Sequence, residues 1–270
     1  MTSRILYLIL IALLVTGAGC ASPARITVPA EAPALPDCGP DIEARQRQLC
    51  EAARRMVRAS RGTLAPVYAP LADQIVEDYG LADHEGVGID LGSGPGTLIV
   101  ELCRRTDMHW INADINPHFF SYFYRLATAN GVGHRVSAVR ADACDLPFHD
   151  AYADVIVSRG SYHFWGRTRG GFSEVYRVLK PGGVAYIGRG FPRGLPVAVA
   201  REVRSRQGKR ISYDVQAAAE ELRAIMEDLG IKDYRVEVPR PEAAGDLHYG
   251  VWVEFHKPES NIEPATPHGG

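Results

Sequence analysis

The run Val87-Gly88-Ile89-Asp90-Leu91, followed by Gly92-Ser93-Gly94-Pro95-Gly96-Thr97, constrains this chain more than any other feature. Apolar residues through Leu91 predict a buried strand with an acid near its end. Three glycines at alternate positions predict a sharp turn, and Leu98 to Leu102 open a helix. Glycine lets the backbone turn tightly and lets a ligand approach closer than any Cβ permits. The helix start offers unpaired N–H groups to a polar or anionic ligand. A strand, glycine loop and helix at the edge of a parallel sheet therefore predict a nucleotide-type binding site. A dinucleotide fingerprint needs glycines at its first, third and sixth positions. Counted from Gly92, the sixth position is Thr97, which argues against an NAD(P)-dependent oxidoreductase.

From Val87 onward strands and helices alternate, which predicts a parallel sheet covered on both faces. Strands are expected near Val87–Leu91, Trp110–Asp114, Val136–Arg140, Ala153–Ser158 and Val184–Ile187. Helices are expected near Thr97–Arg105, His118–Asn130, Arg169–Leu179 and Val215–Leu229. Tyr234–Val238 and Val251–Phe255 are close enough to pair as a hairpin. Before the sheet, Asp41–Ser60 has helical periodicity, and Leu71–Tyr79 predicts a helix stopped by Gly80. Arg193–Asp214 gives no clear pattern and is expected to be a lid or insertion. Residues 258–270 are polar and proline-bearing, as in a disordered tail.

The N-terminus stands apart. Met1-Thr2-Ser3-Arg4 is positive, Ile5–Val15 is apolar, and Gly17-Ala18-Gly19 precedes Cys20. That layout predicts a secretory segment over 1–20 rather than a fold element. Its small residues before Cys20 resemble a bacterial lipoprotein signal, which implies lipidation of Cys20, membrane anchoring and export; Gly17 departs from the bulky aliphatic residue usual there. Cleavage elsewhere, or an uncleaved anchor, are the other outcomes. Residues 21–40, rich in alanine and proline, predict a tether, and 41–257 the folded domain. Cys38 and Cys50 could pair in an oxidising compartment. Cys103 and Cys144 are expected to be unreactive, and the scattered histidines predict no metal. A net charge of −2 gives no support for nucleic-acid binding, so the basic runs Arg45–Arg61 and Arg201–Arg210 are expected to be solvated helix faces.

Asp114 closes the second strand, placed to accept hydrogen bonds from ribose hydroxyls; with Asn116-Pro117 following, a helix cap is the less favoured alternative. Asp142 follows the third strand, where an acid can meet an adenine amino group or simply form an Asx turn. Asp90-x-Gly92-x-Gly94-x-Gly96, then Asp142-Ala143-Cys144-Asp145-Leu146-Pro147-Phe148, Ala153–Ser158 and Glu174–Gly183 resemble, in order, the motifs of class I S-adenosylmethionine (SAM) methyltransferases. The resemblance is to the small-molecule, quinone-biosynthesis type and covers roughly residues 71–255. It implies a Rossmann-like α/β sheet of seven strands, order 3-2-1-4-5-7-6, with the last antiparallel. It implies SAM bound by Asp90, Gly92, Gly94, Gly96, Asp114, Ile115, Asp142, Ala143 and Ser158. A small or lipid-like acceptor would then lie over strands one and four, near Tyr68, Arg159, Tyr162 and Trp165. His163 is the candidate base, with a packing histidine as the plain alternative; Tyr162 and Trp165 have core roles as theirs. Arg189–Pro192 could close the pocket. Because SAM is made in the cytoplasm, an exported domain that binds without turnover is the second expectation.

Overall fold

The computed structural model describes residues 33–39, 43–207 and 213–259. The expected secretory segment with Cys20, most of the expected tether and nearly all of the expected tail lie outside these residues.

Seven strands form one sheet: β1 (Val87–Leu91), β2 (His109–Asp114), β3 (Val136–Arg140), β4 (Ala153–Arg159), β5 (Leu179–Gly190), β6 (Tyr234–Glu237) and β7 (Gly250–His256). Their order is β3-β2-β1-β4-β5-β7-β6. Strands β1 to β5 pair in parallel, whereas β7 runs antiparallel to both β5 and β6. This is the class I methyltransferase arrangement that the motifs implied, and the expected hairpin partners do pair. Such a sheet needs cover on both faces because its strands are apolar on both.

One face packs against α1 (Ala44–Arg61), α2 (Ala65–Asp78), α3 (Thr97–Cys103), α4 (Phe120–Ala129) and α6 (Val197–Gln207). The other packs against α5 (Thr168–Val178) and α7 (Val215–Asp228), burying Ile89, Leu91, Ile156, Phe172, Leu222 and Phe255. Adjacent strand residues feed opposite layers: Val155 and Val157 face the first core, Ile156 the second.

Four departures from the sequence expectations are informative. Strand β5 starts at Leu179 rather than Val184, and a register shift between Ala153 and Val155 absorbs Pro181-Gly182-Gly183. Helix α2 begins earlier, at Ala65, because Pro66 fits a first turn that needs no N–H. Helix α6 lies in the segment expected to be a lid. Only Ala200 and Val203 are buried on it, too few to give a readable stripe. Helix α5 runs from Thr168 to Val178, one residue earlier at each end than expected. The cation at its C-terminal pole is Lys257, which donates to the carbonyls of Tyr176, Arg177 and Leu179, while the Lys180 Nζ pairs with Asp154 at 2.8 Å. Cys38 and Cys50 form a disulfide that ties the segment before α1 to the helix.

Candidate active site

The glycine loop leaves β1 at the carboxyl edge of the sheet. Gly92, Gly94 and Gly96 all have positive φ, +72°, +57° and +74°, a conformation that L side chains rarely adopt. Two of the three also lack room. A Cβ on Gly92 would stand 2.4 Å from the Ser161 Cβ, and one on Gly96 only 2.0 Å from the Phe123 ring. Gly94 differs, since its nearest neighbours, Met56 and Phe119, are 3.6 and 3.7 Å away. Gly96 is thus a packing glycine, whereas a Cβ at Gly94 would make only ordinary contacts, and Gly94 lines the cavity.

Strand β2 holds the loop in place. The Asp114 carboxylate accepts from the Gly94 and Asn116 N–H groups, both at 2.8 Å. Asn112 donates to the Gly94 carbonyl at 3.0 Å, and the Gly92 N–H donates to the Ala113 carbonyl. Burial raises the Asp114 pKa, and its two backbone bonds work against that. Burial pushes Asp90 up to about 7, the Asp114 charge adds to the rise, and Ser93 and Arg159 oppose it. Ile115, directly after Asp114, leaves an apolar side chain 58% exposed beside the loop. Asp142 accepts from the Cys144 N–H at 2.9 Å, an Asx turn, and Ala143 is buried next to it.

A cavity of about 320 Å³ opens from this loop toward the ends of β4 and β5. Asp90, Gly92, Gly94, Tyr68, Arg159 and His163 all line it, although they come from α2, β1, its loop, β4 and the turn after β4. The Arg159 guanidinium lies 5.7 Å from the centre of the Tyr68 ring, and its Nε donates to the Gly190 carbonyl. Burial lowers its pKa, and the Tyr68 and Asp90 charges counter this. His163 keeps a buried Nδ1 with no partner, and burial together with the Arg189 charge brings its pKa down to about 4. It is therefore neutral near pH 7 and weakly basic.

Tyr162 and Trp165 are not on the cavity wall. Tyr162 is buried in the second core, edge-on to His163 and tilted against Phe172. Trp165 packs on Phe172 and donates its indole N–H to the Ser161 hydroxyl at 3.2 Å. Ser158 is buried as well. Its hydroxyl meets that of Ser161 at 2.6 Å, and Ser161 donates to the Leu91 carbonyl. These residues form the support beneath Gly92. Asp114, Ile115, Asp142 and Ala143 lie off the enclosed cavity, on the β2 and β3 side of the loop. Tyr176 and Lys180 have the Tyr-x-x-x-Lys spacing of some oxidoreductases, but neither lines the cavity, and Lys180 is bound to Asp154.

Sequence reasoning missed the outer wall: Met56 of α1, Leu64, and Arg204 and Gln207 of α6. It also missed Asn112, whose polar side chain in an otherwise apolar strand was the available signal.

Residues 89–187 match a family model described as a methyltransferase domain. The 2-methyl-6-phytyl-1,4-hydroquinone methyltransferase 1 of rice is 32% identical over 118 residues, 43% of this chain and 34% of that protein. A ubiquinone/menaquinone biosynthesis C-methyltransferase of Vibrio campbellii is 35% identical over 97 residues, 35% of this chain and 38% of that one. The chain thus spans about a third of the length of these curated relatives. A crystal structure from Methanococcus maripaludis, assigned as an S-adenosyl-L-methionine-dependent methyltransferase, superposes with a TM-score of 0.68 at 28% identity. It covers 78% of this chain and 94% of that one.

Proposed function

We propose that this chain, whose residues 89–187 form a methyltransferase domain of the SAM-dependent kind, transfers a methyl group to a small or lipid-like acceptor. One observation carries the reading. A glycine loop of positive φ, held by Asp114 and Asn112, opens at Gly94 onto a cavity that Asp90 also lines. The residues fit the cofactor. Gly94 is the loop glycine whose positive φ is not imposed by a clash, since a Cβ there would meet Met56 and Phe119 only at contact distance. It lines the cavity, so its bare backbone is available to a ligand. Asp90 and Arg159, opposite charges on one cavity wall, match the ammonium and carboxylate of a methionine moiety. Asp114 uses one lone pair of each oxygen on the backbone and has others left for ribose hydroxyls. Exposed Ile115 offers an apolar face to a purine ring.

When bound, SAM supplies a sulfonium methyl group that leaves its sulfur as an acceptor lone pair attacks in line. The protein's part is alignment and a dry pocket. Tyr68, Arg159 and the turn carrying His163 bound the space where the acceptor would meet the methyl group. An acceptor that must lose a proton would find the neutral His163 imidazole on the cavity wall as its base.

Calorimetric titration with S-adenosylhomocysteine tests the reading. Micromolar binding, weakened a hundredfold or more by Asp114→Ala, is expected; no heat at millimolar ligand would sink it. Binding without methyl incorporation from labelled SAM into cell-extract acceptors would instead favour a binding module without turnover.

We also place the domain outside the cytoplasm, anchored through the N-terminal segment. The Cys38–Cys50 bridge supports this, since such bonds persist in oxidising compartments and are rare in the cytosol. A phosphatase fused at the C-terminus, active only after export, is expected to be active; a silent fusion would overturn the placement.

A further inference from the structure

The cavity wall opposite the glycine loop is strongly basic. Arg189, at the end of β5, and Arg204, on α6, line it together with Arg159, and Asp90 is the only acid among the lining residues. Arg189 lies over the Tyr213 ring at 4.2 Å, and Arg204 over the Phe191 ring at 4.8 Å. Among the described residues neither guanidinium has a carboxylate within 4.0 Å, unlike those of Arg105, Arg177 and Arg193. On α6 itself the contrast is direct. Arg206 pairs with Glu202, and Arg201 donates to the Ala244 carbonyl, while Arg204 turns to the cavity with only a ring beneath it. Burial lowers the Arg204 pKa, the charges of Arg159 and Arg189 lower it further, and Tyr213 opposes them. Two half-buried cations on one wall repel each other, and stacking on rings offsets that cost only in part. Two buried polar atoms on residues of the same wall, the Gln207 Oε1 and the His163 Nδ1, also have no hydrogen-bond partner among the described residues.

Cofactor binding does not relieve this imbalance. One carboxylate of the methionine moiety answers Arg159, but its ammonium and sulfonium bring two further positive charges. The loaded cavity is thus more cationic than the empty one. Guanidinium forks suit planar or tetrahedral oxyanions, which they grip through paired N–H bonds.

We propose that the methyl acceptor carries an anionic carboxylate or phosphate group, which Arg189 and Arg204 hold while its apolar body lies against Leu64, Phe164 and Phe191. The inference rests on the methyltransferase reading and names the substrate class for that same site. Arg189 and Arg204 are specificity residues here: they hold the acceptor's far end and leave the donor half of the site to Asp90, Gly94 and Asp114.

The test uses the soluble domain with its disulfide intact, saturated with S-adenosylhomocysteine and titrated with three probes of similar size. These are phenyl phosphate, benzoate and neutral benzyl alcohol. At least one anion is expected to bind ten times or more tighter than the alcohol, and the two anion arms separate a phosphate from a carboxylate preference. Arg204→Gln and Arg189→Gln should each weaken that anion tenfold or more while S-adenosylhomocysteine binding stays within about twofold, which also certifies their folding. The comparison of anion with alcohol needs no variant, so it decides the matter even if an arginine variant misfolds. If the alcohol binds as well as both anions, or neither anion binds, the inference fails while intact S-adenosylhomocysteine binding keeps the methyltransferase reading. If anions bind through Arg204 but S-adenosylhomocysteine does not bind at all, the methyltransferase reading fails and the anion site stands.

Discussion

The two walls of the cavity are built in opposite ways. The loop wall is the more closed: Asp114 and the Asn112 amide N–H bind the backbone of Gly94, the Gly92 N–H binds the Ala113 carbonyl, and Phe123 and Ser161 fill the space beneath. Of its buried side-chain atoms, only the Asn112 Oδ1 and the Ser93 Oγ stay without partners among the described residues. The outer wall is open chemistry: Arg189 and Arg204 have rings rather than carboxylates against them, and His163 and Gln207 carry buried atoms without partners. A wall that binds one fixed ligand can be rigid and self-satisfied. A wall that selects a second ligand keeps its polar groups uncommitted, at a cost in stability. The difference teaches where the fold stores strength and where it stores specificity.

The largest expected effect breaks the closed wall. Gly96→Val forces a β-branched side chain into φ +74° and drives its Cβ into the Phe123 ring. Left-handed strain and overpacking together should cost about 3 kcal/mol or more, read as a fall in the urea midpoint with unchanged slope. A loss below 1 kcal/mol would show that the loop wall is not rigid.

A pH titration sharpens the contrast, because Asp90 and His163 shift in opposite senses. Asp90 is raised from an ordinary 3.8 to about 7, so its folded form retains a proton that the unfolded chain releases. Its contribution is full below about pH 4 and is lost as pH rises to about 7, by about 1.4 kcal/mol per pH unit. His163 is lowered to about 4; its contribution is full above about pH 6.5 and is lost as pH falls toward 4. The two slopes oppose each other in the wild-type protein. Relative to it, Asp90→Asn should gain stability as pH rises from 4 to 7, and His163→Gln should gain as pH falls over the same range. Urea unfolding at half-unit steps gives both differences, and parallel curves for all three proteins would refute the assignment. Since a methionine ammonium favours ionised Asp90, cofactor affinity should also climb up to tenfold per pH unit below 7 and level off above.

How much was legible beforehand follows from the same division. The loop wall is local: Asp90, the glycines, Asn112 and Asp114 lie within one strand–helix–strand unit, so spacing alone placed most of it. Strand order came only with the resemblance to class I methyltransferases, and Pro181-Gly182-Gly183 of that motif set lies inside β5. The outer wall is assembled from two stretches far apart in the chain, Met56 with Leu64 and Arg189 with Arg204 and Gln207, of which sequence reasoning placed Arg189 alone at the pocket. No spacing rule reaches across that distance. The arginine that faces the cavity has the same letter as Arg201 and Arg206, which face elsewhere. Tyr162 and Trp165 show the converse. Aromatics beside a candidate base look like pocket walls in sequence, yet the turn of Tyr162–Phe164 sends them into the core and turns Phe164 out.

A smaller effect is expected at Tyr213, which lies under the Arg189 guanidinium and donates its hydroxyl to the Arg189 carbonyl at 2.7 Å. Tyr213→Leu removes both contacts and should cost about 1 kcal/mol in urea unfolding. It should also weaken the preferred anionic probe several-fold while leaving S-adenosylhomocysteine binding unchanged. An unchanged anion affinity would mean that Arg189 needs no ring to stay in place.

The smallest effect on folding belongs to Phe164, and it discriminates most finely between the walls. Its ring is 79% exposed at the cavity rim and touches His163 with centroids 4.0 Å apart. So exposed a ring contributes little to the core, and Phe164→Ser should change stability by no more than about 0.5 kcal/mol. If the outer wall is a surface held ready for an acceptor, the same substitution should still weaken phenyl phosphate several-fold, because the ring would be covered only in the complex. Loss of stability above 1 kcal/mol with unchanged probe affinity would make Phe164 a packing residue and move the rim of the outer wall into the closed class.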